Sequence, residues 1–245
     1  MSEEGIRLNK YIASCGICSR RDADKLIEQG KVTVNGHPAE PGMRIVEGDS
    51  VKVGSKLISE KKETVVLAYY KPVGVTTTEK DDHAEITVAD LVRYKERVTY
   101  AGRLDKDSEG LLLMTNDGDL IHGMMQAKNN HEKEYLVKVN KTINEEIVEK
   151  LSKGMYLPDL KKSTRPCFVE RVNKTTFRII LTEGMNRQIR RMCAALSLKV
   201  VSLKRVRVLN VTLNNLKPGE YRVLSREEVR ELKEKVWGKK SESLN

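Results

Sequence analysis

Residues 101–118 read Ala-Gly-Arg-Leu-Asp-Lys-Asp-Ser-Glu-Gly-Leu-Leu-Leu-Met-Thr-Asn-Asp-Gly. A short polar segment that carries Asp105 leads directly into an apolar run, and the run ends at Asn116-Asp117-Gly118, a turn signature. The pattern predicts a buried strand that holds Asp105 on a loop at its start. Catalytic groups often lie on loops held by rigid strands, but an Asp beside glycines also serves simply as a turn residue. The spacing leaves both interpretations open.

The order of residues in this stretch resembles the active-site signature of the RsuA-type pseudouridine synthases, which include the RluB, RluE and RluF groups. The match is nearly unbroken through G-R-L-D, a small hydroxyl residue and G-L-L-L-x-T-N-D-G. In that family the carboxylate at the position of Asp105 is the catalytic nucleophile. The resemblance therefore implies a nucleophilic role for Asp105.

Two further segments carry the same resemblance. The K-x-Y element at residues 133–135 implies that Tyr135 lies against the target base and accepts a proton, although a tyrosine on a strand is also common in a packed core. The element G-x-N-R-Q-I-R-R-M at residues 184–192 implies a basic residue paired with the nucleophile. The Q-I-R register assigns that role to Arg190, with Arg187 as the second choice.

The composition is that of a highly charged globular protein. The chain has 245 residues, of which 39% are hydrophobic and 33% charged, and its net charge is +10. No stretch approaches the roughly 18 apolar residues of a membrane-spanning helix, and residues 1–4 lack the features of a signal peptide. We therefore expect a cytoplasmic protein with no membrane partner.

The cysteines raise the question of a metal or redox site, because Cys15 and Cys18 form a C-x-x-C pair. A zinc site needs a second pair, which is missing, and His37 is the only histidine nearby. A thioredoxin-like site needs a βαβ pattern, which does not follow. The sequence thus predicts reduced thiols, with no metal and no cofactor.

The first part of the chain has the pattern of a small RNA-binding unit. Ser19 is expected to cap a helix, and Asn35-Gly36 is a hairpin turn signature. Arg20 and Arg21 fall in the first turn of that helix, where a bound phosphate would offset the unfavourable helix dipole. The unit resembles the S4-like (αL) RNA-binding domain in Arg7-Leu8-Asn9-Lys10, Ser19-Arg20-Arg21, Ala23 and 30–36.

The remaining elements predict an α+β fold, because strands and helices are intermixed with hairpins and do not follow a regular βαβ order. We expect an S4-like domain at residues 5–55, a linker at 56–63, a catalytic domain at 64–240 and a disordered tail at 241–245. The resemblance implies that the catalytic domain is a pseudouridine synthase domain. Its central sheet is expected to be mixed, largely antiparallel and flanked by helices.

Positive charge is concentrated late in the chain, where residues 184–219 contain eight basic residues and no acidic one. This run predicts a groove that contacts phosphates, with a solvated face as the alternative. The candidate RNA-binding residues are Arg103, Arg187 and Arg191 in the catalytic domain, and Arg7, Lys10, Arg20 and Arg21 in the small domain.

The resemblance implies an enzyme of the RluF type that isomerises a uridine of large-subunit ribosomal RNA to pseudouridine after flipping the base. One alternative is the same chemistry on another ribosomal uridine or on a transfer-RNA anticodon uridine. A second alternative is a non-catalytic RNA-binding or ribosome-assembly protein. The expected partners are ribosomal RNA and, in the first alternative, transfer RNA, and the protein is expected to be a monomer.

Overall fold

The computed structural model describes residues 5–59, 63–78, 85–126 and 130–238. The chain divides into two compact units. The small unit comprises the described residues of Met1–Val65, Tyr94–Val98 and Asn116–Gly118. The large unit comprises those of Val66–Arg93, Thr99–Thr115 and Asp119–Asn245.

The small unit contains two helices and short strands. Its elements are β1 (Ile6–Arg7), α1 (Leu8–Ser14), α2 (Arg20–Glu28), β2 (Val32–Val34), β3 (His37–Pro38), β4 (Arg44–Ile45), β5 (Val51–Val53) and β6 (Lys56–Leu57). The predicted cap is confirmed, since the Ser19 side chain accepts a hydrogen bond from the Asp22 backbone at 3.2 Å. The predicted hairpin is also confirmed, because Asn35 and Gly36 both have positive φ between β2 and β3.

The core of the small unit forms where the two helices pack on the strands. Leu8 and Ile12 of α1 lie with Ala23 and Ile27 of α2 in one buried apolar cluster. Lys56 and Leu57, which were expected in the linker, pair with β5 as β6. Residues 60–62 of the expected linker and the tail at 241–245 lie outside the described residues.

The large unit holds most of the regular structure. Its elements are β7 (Val66–Lys71), α3 (Val88–Leu91), β8 (Thr99–Tyr100), β9 (Glu109–Thr115), α4 (Gly118–Met125), β10 (Lys133–Val139), α5 (Glu145–Ser152), β11 (Tyr156–Leu157), a 3₁₀ turn (Pro158–Leu160), β12 (Lys162–Ser163), β13 (Phe168–Asn173), β14 (Thr176–Leu181), α6 (Gln188–Ala195), β15 (Val200–Val208), β16 (Val211–Thr212), β17 (Tyr221–Val223) and α7 (Arg226–Trp237).

One sheet organises the large unit, with the strand order β13-β14-β10-β15-β9-β7-β17. Of the strand pairs in the described part of this sheet, only β15 and β9 run parallel, through Arg205 and Gly110. The prediction of an α+β fold with a mixed, largely antiparallel sheet is therefore confirmed.

Helices cover the sheet through two apolar clusters. In one cluster α4 and α7 pack on alternate residues of β7 and β9, including Leu111 and Leu113. In the other, α5 and α6 pack on β10 and β14, with Met192 of α6 among the fully buried side chains. This second cluster fixes the start of α6 beside the loop that precedes β9. Over the ranges that the structure describes, no helix is long and apolar enough to cross a membrane.

Candidate active site

Asp105 lies on a loop between β8 and β9, as predicted, and the loop is held from two sides. The Ser108 backbone donates to the Asp105 carbonyl at 3.0 Å, which closes a turn. The buried Thr77 hydroxyl donates to the Leu104 carbonyl at 2.6 Å and lies 3.3 Å from the Leu104 amide, which donates to it. Gly74 donates its amide to the carbonyl of Lys106 at 2.8 Å. The carboxylate of Asp105 is thus held by a fixed backbone, while its side chain is 37% exposed.

A pocket of about 420 Å³ opens beside this loop. Asp105, Tyr135, Arg187 and Arg103 all line it. Its apolar wall includes Met124, Leu181, Leu203 and Val208. The volume lies within the range of small-molecule sites. The pocket therefore brings together the predicted nucleophile, the predicted aromatic residue and two arginines.

Tyr135 belongs to the central strand β10, where it lies opposite Ile179 of β14 and Arg205 of β15. Its ring also packs against the apolar cluster under α5 and α6. The two interpretations from the sequence thus both apply, because the side chain contributes to packing and also lines the pocket. Its position on a doubly paired strand gives the ring a rigid support.

Arg187 is the basic residue nearest to Asp105 among the ion pairs of the described residues. Its Nη1 lies 3.9 Å from Asp105 Oδ2. Its guanidinium also donates two hydrogen bonds to the Asp107 carboxylate, at 3.0 and 2.8 Å, and these bonds raise the pKa of Arg187. The Arg187 backbone is left-handed, with φ 50° and ψ 35°, just before the first residue of α6. Such a conformation is costly for a non-glycine residue and is often found at functional sites.

The structure corrects the first choice, Arg190, as the partner of Asp105. Arg190 donates to the Asp107 carbonyl at 2.7 Å and to the Ser108 hydroxyl at 3.3 Å, and its Nε lies 3.3 Å from Asp107 Oδ2. It is not among the residues that line the pocket in the described part of the chain. Arg190 lies inside α6, and its side chain contacts the turn after the nucleophile, whereas Arg187 lies at the helix start.

Two lysines near the site, Lys71, which is buried, and Lys133, which is half-buried, were not assigned from the sequence. Lys71, at the end of β7, is completely buried and donates to the carbonyls of Pro72 and Val75, both at 2.8 Å. Burial, followed by the nearby Arg205 charge, lowers the pKa of Lys71 to about 8. Burial also lowers the pKa of Lys133, which lines the pocket, to about 8. Lys133 begins the K-x-Y element, and Lys71 comes directly before Pro72 at the end of an apolar run.

Arg205 of β15 and Gly110 of β9 lie opposite each other where these two strands run parallel. The Arg205 side chain is 4% exposed and donates from Nε to the carbonyl of Leu111 at 2.6 Å. Gly110 has φ +108°, and a Cβ built there would lie 2.3 Å from the Arg205 carbonyl oxygen. Only glycine allows this close approach of the two backbones.

The predicted RNA-binding residues fall in both units. In the large unit Arg103 is exposed at the pocket, and Arg191 forms an ion pair with Asp159. In the small unit Arg7, Arg20 and Arg21 are exposed and Lys10 is partly exposed. Among the described residues, no group of three or more His, Cys, Asp or Glu side chains could hold a metal ion.

Comparisons with known proteins match both units. The family model described as RNA pseudouridylate synthase matches residues 65–195, and the model of the S4 domain matches residues 6–51. The chain is 43% identical to the dual-specificity RNA pseudouridine synthase RluF of Salmonella typhi, over 99% of this chain and 84% of that one. It is 35% identical to the ribosomal large subunit pseudouridine synthase B of Bacillus subtilis, over 93% of this chain and 95% of that one.

A solved structure is also similar. A crystal structure of a pseudouridylate synthase has 31% sequence identity and a TM-score of 0.68, over 93% of this chain and 99% of that one. The non-catalytic alternative is therefore set aside. The chain belongs to the RNA pseudouridylate synthase family and is an enzyme that isomerises uridine in RNA to pseudouridine, with an S4 domain preceding its catalytic domain.

Proposed function

We propose that Asp105 is the nucleophile of this enzyme and that the Arg187 guanidinium is its ionic partner. The observation that carries the proposal is the shared pocket, which is lined by Asp105, Tyr135 and Arg187. The positive charge of Arg187 lies 3.9 Å from the carboxylate and attracts its negative charge. Nucleophilic attack uses the carboxylate, because a protonated carboxyl group has little nucleophilic character.

The reaction breaks the N1–C1′ bond of uridine, turns the uracil and forms a C5–C1′ bond. The C5 proton then leaves, and N1 gains a proton, so that the product has the same atoms as the substrate. Asp105 attacks either the sugar or the pyrimidine ring to form a covalent intermediate, and the same carboxylate serves both routes. Tyr135 lies against the base, and its hydroxyl is the candidate acceptor for the C5 proton.

The substrate itself has to complete the exclusion of water from the site. The Asp105 side chain is 37% exposed in the free protein, so water reaches the carboxylate when no substrate is bound. A nucleotide that fills the pocket displaces this water and strengthens the electrostatic interactions inside. Since a paired base cannot reach Asp105, the target nucleotide must be flipped out of its helix. Arg103, exposed at the pocket, is the candidate to hold the flipped nucleotide.

We propose large-subunit ribosomal RNA as the substrate. The similarity to a ribosomal large subunit pseudouridine synthase of Bacillus subtilis supports this target. The similarity to a relative named as dual-specificity supports a second RNA target, for which transfer RNA is our candidate. With ribosomal RNA as substrate the enzyme would work in the cytoplasm, and we propose that it acts as a monomer.

The small unit is proposed to add affinity for RNA. Arg20 and Arg21 lie in the first turn of α2, where backbone amides and the helix dipole also favour an anion. Arg7 is the N-cap residue of α1, and Lys10 lies in the first turn of that helix. Phosphate contacts by such residues give binding that weakens steeply with salt.

The test compares Asp105→Asn with a matched control, Glu146→Gln, which changes an exposed acid of α5. Each variant is incubated with large-subunit ribosomal RNA and with transfer RNA from cells that lack this gene product, and pseudouridines are mapped as carbodiimide adducts. We expect Asp105→Asn to bind RNA but form no pseudouridine, and Glu146→Gln to act as the parent does. Pseudouridine formation by Asp105→Asn at the parental rate would overturn the nucleophile assignment.

A further inference from the structure

Asp107 is the residue through which helix α6 is tied to the loop that carries Asp105. Its carboxylate accepts two hydrogen bonds from Arg187, at 3.0 and 2.8 Å, and its carbonyl accepts one from Arg190 at 2.7 Å. The Nε of Arg190 is also 3.3 Å from the same carboxylate. Two arginines at the start of α6 thus converge on one acid, two residues after the nucleophile.

This arrangement sets the distance between Arg187 and Asp105. The Arg187 guanidinium donates to Asp107 from both of its terminal nitrogens, and Nη1 stays 3.9 Å from Asp105 Oδ2. That separation is within ion-pair range but beyond a hydrogen bond. The charge of Arg187 therefore acts on Asp105 without occupying its oxygen atoms.

Whether the guanidinium is hydrogen-bonded to Asp105 or only lies near it affects how readily the carboxylate can attack. A charged hydrogen bond to a carboxylate is strong, and an oxygen that accepts one must give it up before it attacks. A guanidinium that paired with Asp105 in two hydrogen bonds would stabilise the carboxylate in the unreacted state, which slows the reaction. A nearby but unbonded guanidinium leaves both carboxylate oxygens free to react.

Asp107 is suited to hold the guanidinium in this way. The hydrogen bonds from Arg187 lower the pKa of Asp107, so it carries its charge at neutral pH. A single exposed ion pair contributes little to the stability of a structure, and the Asp107 side chain is 45% exposed. Here, however, the pair is bidentate and is reinforced by Arg190, whose side chain is only 15% exposed.

We propose that Asp107 is a positioning residue that keeps the Arg187 guanidinium beside Asp105 and out of direct hydrogen bonding with it. The proposal rests on the proposed role of Asp105 as nucleophile. It predicts a slower reaction when Asp107 is made neutral, because Arg187 then forms hydrogen bonds with the Asp105 carboxylate instead.

The test measures single-turnover rates with saturating enzyme and, separately, the affinity for ribosomal RNA. We expect Asp107→Asn to slow the single turnover about tenfold to a hundredfold, which corresponds to the gain of one or two charged hydrogen bonds by Asp105. RNA affinity is expected to stay the same or to increase, because a negative charge near a polyanion has been removed. Asp107→Glu, which keeps the charge, is expected to recover most of the rate.

A double-mutant cycle separates positioning from general support of the fold. Arg187→Gln alone is expected to slow the reaction, and adding it to Asp107→Asn is expected to cause no further loss, because Asp107 acts through Arg187. Glu146→Gln is the matched control, since Glu146 forms an exposed ion pair with Lys150 on α5 and neither residue lines the pocket. Its single-turnover rate is expected to be unchanged.

The outcomes distinguish the two proposals. A parental rate for Asp107→Asn, with Asp105→Asn inactive, would overturn the positioning role and leave the proposed function intact. Additive losses of rate in the cycle would also overturn the positioning role. So would a loss of RNA affinity and melting temperature together with the rate in Asp107→Asn, because that result would show a structural role. Activity of Asp105→Asn would instead overturn the proposed function itself.

Discussion

Replacing Lys71 with methionine is expected to change how the stability of the large unit depends on pH. The Lys71 side chain is completely buried, and its ammonium group donates to the carbonyls of Pro72 and Val75. Burial and the Arg205 charge lower its pKa from 10.5 to about 8, although the Asp105 carboxylate and other nearby acids oppose the shift. The folded protein thus holds a lysine that gives up its proton more easily than in the unfolded chain.

The sign and the size of the effect follow from these two pKa values. Between pH 8 and 10.5 the unfolded state binds more protons than the folded state, so the free energy of unfolding rises with pH in this window. Below pH 8 both states are protonated, and the folded state carries the full cost of the buried charge, about 3 kcal/mol. Lys71→Met removes this titration. From pH 7 to pH 10 the parent is therefore expected to gain about 2–3 kcal/mol relative to the variant.

Urea unfolding followed by the fluorescence of Trp237 measures this difference in the large unit. Trp237 is the single tryptophan and lies at the end of α7. Other groups titrate in the same range with the opposite sign, since burial raises the pKa of Cys167 to about 11 and that of Cys193 to about 12. Both proteins contain these thiols, so their effect cancels when the variant is compared with the parent.

The control is Lys153→Met, which removes an exposed lysine whose side chain is 71% accessible. Its stability difference from the parent is expected to be the same at pH 7 and pH 10. If the difference between Lys71→Met and the parent is also the same at both pH values, the buried ammonium does not pay the desolvation cost described here, and the reasoning is refuted.

Three further predictions test the backbone of the site and the RNA contacts. Gly110→Ala is expected to destabilise the large unit by about 1–3 kcal/mol more than Gly102→Ala. Both glycines have positive φ, but only at Gly110 would the added methyl group meet a neighbouring backbone. Equal urea midpoints for the two variants would contradict this. Thr77→Val is expected to cost about 1–3 kcal/mol and to slow the single turnover, since the Asp105 loop loses its buried hydroxyl contact; unchanged urea and kinetic data would count against it. Arg20→Gln and Arg21→Gln are each expected to lower the slope of log affinity against log salt by about 1, and an unchanged slope would remove that residue from the interface.

Elements with a local signature could be predicted from the sequence. Ser19 and Ser225 accept hydrogen bonds from the third residue of their helices, as short polar residues before an apolar periodic run usually do. Asn35-Gly36 forms the expected turn because both residues tolerate positive φ. The apolar residues Ile143, Ile147 and Leu151 have helical spacing, but α5 begins only at Glu145, since Asn144 supplies the cap.

The pairing inside the site could not be predicted in the same way. Arg187 and Arg190 lie within one turn of each other, and the choice between them depends on the left-handed backbone of Arg187, which a non-glycine residue does not signal. The burial of Lys71 could not be predicted either, because a lysine after an apolar strand is usually exposed. Its environment is made by carbonyls of the following turn and by acids far along the chain.

The position of β7 in the sheet has a consequence for how the enzyme is made. Every residue of β7 is buried, and the strand lies between β9 and β17. The ribosome produces β17 only after residues 72–220 have been made, so one edge of β7 stays unpaired over that interval. An apolar strand with an open edge is a template for aggregation. The nascent chain is therefore most in need of a chaperone between the appearance of β7 and that of β17.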